Sequence, residues 1–158
     1  MTTLGIAPPP TDPTTIRHGR DLIDEALFAR LTARVADDHP KHADLAGRIV
    51  DQALAFLATS ADSATALSPS HLVDIGWHTF VLHTREYAQF CARLAGRFIH
   101  HVPEHPSDWG ISVLPVSAML PAIERAGFHI DRDLWIGEHG DCPVVNCHQC
   151  HATCHDSP

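Results

Sequence analysis

The chain has 158 residues, a formal charge of −8 with histidine neutral, 14 histidines and five cysteines. That length supports one domain with its own buried core, so cross-links are not needed merely to hold it folded. The acidic balance, with no Lys or Arg run long enough to track phosphates, argues against nucleic acid and anionic membrane surfaces as partners.

Aromatic residues are few and Ala is common, which predicts an all-α domain, a compact bundle of about five helices with an irregular C-terminal tail. Residues 1–17, rich in Pro and Thr, are expected to form a disordered arm, 18–136 the helical domain and 137–158 a Cys/His-rich tail. The opening stretch MTTLGIAPPPTDPTT has neither a basic n-region nor an apolar h-region, and no apolar run reaches bilayer length. A cytoplasmic location is therefore expected. In a reducing compartment a cysteine cluster points to metal or redox chemistry rather than to disulfides.

In chain order, Leu22, Ala26, Leu27, Leu31 and Val35 recur at helical spacing from Asp21 up to DDHP, where Pro40 is a stop. Leu45, Ile49, Ala53, Phe56 and Leu57 predict a second helix from about Ala43 to Ala58, followed by a polar loop, TSADSATALSPS. Ser68 and Pro69 suit the start of a third helix, PSHLVDIGWHTFVLH. Thr84 can cap a fourth, REYAQFCARLA, which Gly96 closes, making a helical hairpin at HTRE. VSAMLPAIERAG reads as a last helix, with Pro121 tolerable in its first two turns, and FHIDRDLWI as a short extended or turn segment.

On the third helix His71, Asp74 and His78 are spaced three and four apart and share one stripe. Two imidazoles flanking a carboxylate suit a metal; the plainer alternative is an Asp74–His78 hydrogen-bonded pair with no ligand. FIHHVPEH adds His100, His101 and His105 near the end of the hairpin, where they can converge with His78. Cys91 faces the third helix if the hairpin packs, as a small core residue.

The run VDIGWHTFVLHTREYAQFC followed by GRFIHHVP resembles the core signature of the glycine-rich domain-containing protein family, known from plants and from short bacterial proteins. The matching positions are Asp74, Trp77, His78, Tyr87, Cys91, Gly96 and His101. The resemblance implies a helical fold and a shared His-centred site, and implies no particular reaction. Many members carry a Gly/Cys-rich tail; here His, Val and Asn stand in place of the glycines.

The tail DCPVVNCHQCHATCH places Cys142, Cys147, Cys150 and Cys154 at close spacing, with His148, His151 and His155 each directly after a cysteine. Thiolates with adjacent imidazoles fit a divalent metal in one tetrahedral site, Zn first, with Fe or Cu as alternatives. CHQCH also satisfies the covalent haem pattern, but that attachment is made outside the cytosol. An iron–sulfur spacing begins at Cys142 and fails because the fourth cysteine comes too soon. A reduced, metal-free tail is the plain alternative.

Three functions compete. The chain is expected to be a small cytosolic metal-binding protein with a thiolate/imidazole site in the tail and a second His-centred site on the helical core. The alternatives are a metalloenzyme on His71, Asp74, His78 and His101, with the tail as lid or extra ligand, and a zinc-stapled module for a protein partner. No phosphate loop, dinucleotide fingerprint or nucleophile elbow is present in the sequence.

Overall fold

A computed structural model of the chain describes residues 15–63, 67–101 and 116–136. Their regular structure is helical: α1 (Glu25–Asp38), α2 (Ala46–Ala61), α3 (His71–Leu82), α4 (Thr84–Ala95), α5 (Val116–Arg125) and the single turn α6 (Arg132–Trp135). Two 3-10 segments, Gly19–Leu22 and Pro40–Leu45, precede α1 and α2. Among the described residues there is no strand, and no helix is long and apolar enough to cross a membrane.

The centre of the bundle is α2, in which every residue from Ile49 to Thr59 is buried. A helix buried on all sides needs neighbours on all sides, and α2, which buries Asp51, Gln52 and Thr59 among its apolar residues, packs against α1, α3, α4 and α5. Leu31 and Val35 of α1, Phe80 of α3, Phe90 of α4 and Met119 and Ile123 of α5 complete the core, all nearly or fully buried. Gly76 allows the closest approach of α3 to α2, because a Cβ there would lie 2.8 Å from Ala53 Cβ and 2.9 Å from Ile49 O. Cys91 is buried in this core, and Pro121 falls in the second turn of α5.

The boundaries depart from the apolar periodicity where capping decides them. The first helix starts at Glu25 rather than Asp21, because the Asp24 side chain accepts the Leu27 N–H at 2.8 Å. Residues Gly19–Leu22 instead form a tight turn against α2, and Ala26 is exposed. The second helix begins after the Pro40–Leu45 turn and runs on to Ala61, into the segment expected to be loop. Ser70, not Ser68, caps α3: its Oγ accepts the Val73 N–H and donates to Leu134 O at 2.6 Å. His83, not Thr84, is the cap residue of α4, whereas Gly96 closes that helix at φ +64°.

The ends of the described fold are tied together. Arg17 forms a parallel bridge with Phe128, its N–H donating to Gly127 O at 2.9 Å and its carbonyl accepting the His129 N–H at 2.8 Å. FHIDRDLWI is thus a paired extended segment followed by the turn α6.

Candidate metal centre

Asp74 and His78, one turn apart on α3, point away from the core, while Trp77 between them points into it. The Trp77 indole N–H donates to Tyr87 Oη at 2.8 Å, and that hydroxyl donates to Ile99 O at 2.6 Å. Tyr87 is fully buried, and burial pushes its phenol well above the ordinary value, so it remains a neutral donor. This relay fixes the segment after α4, which reverses at Gly96 and buries Ile99.

Two residues beyond the anchor, His101 returns over α3. Its ring meets Trp77 edge-on at 4.4 Å and His78 at 4.6 Å between centroids. His101 Nε2 and Asp74 Oδ1 are 2.7 Å apart, a hydrogen bond in which the carboxylate accepts. The His101 side chain is only 11 % exposed, whereas His78 is open to solvent. One donor atom each from Asp74, His78 and His101 lies within 4.8 Å of the others.

Of the residues proposed from sequence, the structure therefore brings together Asp74, His78 and His101. His71 shares their stripe but is exposed at the first residue of α3, three residues before Asp74, and does not join the group. His100 is also exposed, and its ring lies tilted against Phe98 with centroids 4.9 Å apart. His105 and the tail residues Cys142, Cys147, His148, Cys150, His151, Cys154 and His155 lie outside the described residues.

A second group has no counterpart in the motifs read from the sequence. His18, Asp51 and His129 also offer donor atoms that lie within 4.8 Å of one another. The sequence does carry one signal for it: Asp51 and Gln52 are an adjacent polar pair inside the apolar run IVDQALAFLA.

A family model, UCP032817-like, matches residues 18–106, more than half of the chain. The chain belongs to the UCP032817-like family. This corrects the expected kinship with glycine-rich domain-containing proteins. That resemblance rested on a few positions of one helical hairpin, and Trp77, Tyr87, Cys91 and Gly96 among them serve core packing, a buried relay and a helix stop here. The UCP032817-like match takes in α1 to α4 with Asp74, His78 and His101, and ends before His129. Neither the curated proteins nor the solved structures yield a match.

Proposed function

We propose that this UCP032817-like protein binds a divalent transition-metal ion through Asp74, His78 and His101. The observation that carries the proposal is the convergence of two imidazoles and a carboxylate from α3 and the segment after α4 within one ligand shell. Such a donor set suits Zn(II) or Fe(II) over Mg(II) or Ca(II), which prefer all-oxygen shells. The His101 Nε2–H donates a hydrogen bond to Asp74 Oδ1 at 2.7 Å. A bound ion would take the place of the Nε2 hydrogen, and Asp74 and His101 would then both serve as ligands to it.

The Trp77–Tyr87–Ile99 relay supports the reading, because an imidazole ligand needs its orientation fixed by its surroundings. The tail thiolates supply a second, softer donor set in the same proposal. Three protein donors with His78 open to solvent also leave a coordination position for water, and this favours, as second reading, a metal-dependent enzyme.

The test is zinc titration and metal content of the full chain in which Cys142, Cys147, Cys150 and Cys154 are changed to Ser and His18 to Ala, so that the Asp74 group is read by itself. An ion should persist at the core site, and His78→Ala or His101→Ala should weaken it by at least about 100-fold while helical circular dichroism is kept. Zinc binding unchanged by both histidine substitutions would overturn the assignment. Turnover of any substrate that survives tail substitution and fails with His78→Ala would move the protein to the enzyme reading.

A further inference from the structure

We infer that His18, Asp51 and His129 form a second cation site, one that takes a divalent first-row transition ion such as Zn(II) and staples three distant chain segments together. It uses different residues from the Asp74 site and does not depend on it.

The spacing suits two ligands of one ion better than a direct hydrogen-bonded pair. His18 Nδ1 and Asp51 Oδ2 are 3.8 Å apart, too far for a hydrogen bond and within the ~3–4 Å that separates two ligands on one zinc. The His18 and His129 rings lie 4.9 Å apart with a 31° tilt. Two imidazoles and one carboxylate again select a borderline transition ion over an all-oxygen cation.

The donors are also held from behind. Asp51 is buried, and its Oδ1 accepts the Arg20 backbone N–H at 2.9 Å while Oδ2 accepts Gln52 Nε2 at 3.1 Å. Gln52 Nε2 also donates to His129 O at 3.1 Å, so one buried amide sets both the carboxylate and the histidine backbone. His129 is fixed on its other side by its N–H to Arg17 O. His18 is placed by Gly19, where a Cβ would meet Asp51 O at 1.9 Å, so only glycine brings this turn onto α2.

The amides that Asp51 accepts satisfy oxygen lone pairs but bring no positive charge, and a cation beside a buried carboxylate stabilises it further. The neighbouring arginines are engaged elsewhere: Arg20 reaches Glu25 and lies over Phe28, and Arg17 lies over Phe128 and donates to Ala126 O. Asp51 is left facing two imidazoles. Both histidines are exposed, which gives an ion access from solvent.

The experiment uses the full chain with the four tail cysteines changed to Ser and with His78→Ala, and titrates it with Co(II) while indole N–H signals are followed by NMR. Trp135 is the reporter, since its Nε1–H donates to Gln52 Oε1 at 2.8 Å, two hydrogen bonds from Asp51. Its signal should shift or broaden in a saturable way that Zn(II) reverses, and His18→Ala or His129→Ala should each weaken the response by at least about 30-fold. Zinc should also raise Tm by roughly 5 °C in the parent and not in either variant. Because the removed side chains are exposed, both variants keep the core, and circular dichroism verifies that. A Trp135 signal that ignores Co(II), or responds equally in both variants, overturns the proposal. In the chain that retains His78, Trp77 reports on the Asp74 site, so failure of one site is read separately from failure of the other.

Discussion

The two histidine–carboxylate groups are built from the same side chains in opposite ways. Around Asp74 the parts are local, with two donors on one helix and the third on the segment that follows the next helix, held by an aromatic relay. Its carboxylate already touches an imidazole at 2.7 Å. Around Asp51 the donors come from the start, the middle and the end of the described fold, and the carboxylate is satisfied by amides while the nearer imidazole stands 3.8 Å off. The first group holds together by a bond of its own, the second by the fold around it. Support for the two must therefore fail separately.

The largest expected effect comes from Gln52. This fully buried amide donates to Asp51 and His129 O, and accepts from the Asp131 N–H at 3.1 Å and the Trp135 indole at 2.8 Å. Every donor and lone pair it owns is in use. Gln52→Leu fills the same space but strands all of those partners, so it should cost about 4 kcal/mol in urea unfolding. Zinc-induced stabilisation through His18 and His129 should vanish with it. The Asp74–His101 hydrogen bond, followed by histidine side-chain NMR, should stay. A loss below about 1 kcal/mol would show that the fold does not set the second group.

Tyr87→Phe makes the complementary cut. Removing the hydroxyl leaves the Trp77 indole N–H and Ile99 O without the group that joins them, inside a site with no exposed surface at Tyr87. About 2 kcal/mol of stability should be lost. Because Ile99 no longer anchors the segment carrying His101, metal affinity at Asp74 should fall ~10–100-fold, with the Trp135 response unchanged. An unchanged affinity at Asp74 would mean that ring packing on Trp77 alone positions His101.

The difference between the groups also explains what was legible. Helical period exposed the core positions Leu27, Leu31, Val35, Ile49 and Phe56, and it placed Asp74 and His78 on one stripe. His101 was within reach because a helical hairpin returns the chain over its own first helix. Periodicity does not say where a helix begins, so Asp24 and Ser70, which form the cap bonds, lie two to three residues from the starts it suggests at Asp21 and Ser68. Nor does it relate His18, Asp51 and His129, whose meeting depends on the Arg17–Phe128 bridge and on Gly19 lying against α2. Such pairings are made by tertiary packing and leave no repeat in the sequence. The polar pair Asp51–Gln52 in an apolar helix was the available sign.

The smallest expected effect tests the outer brace of the second group. Arg48 grips Asp131 with two bonds, Nε to Oδ2 at 2.6 Å and a terminal nitrogen to Oδ1 at 2.8 Å, and also reaches Asp133. Asp131 in turn donates its backbone N–H to Gln52. The hydrogen bond from Arg48 holds the Asp131 carboxyl below its ordinary value. A folded value lower than the unfolded ~3.9 means that the contribution to stability is complete above that pH and is lost as pH falls through the folded value. Arg48 is 44 % exposed, so solvent and salt screen the pair and Arg48→Ala should cost at most about 1 kcal/mol at pH 7. Thermal unfolding from pH 7 to pH 3 should show the gap between the parent and Arg48→Ala closing below about pH 4, with 1 M salt shrinking it at neutral pH. A gap that stayed constant through the acid range would mean that Arg48 supports the start of α6 by packing its aliphatic stem, not by charge.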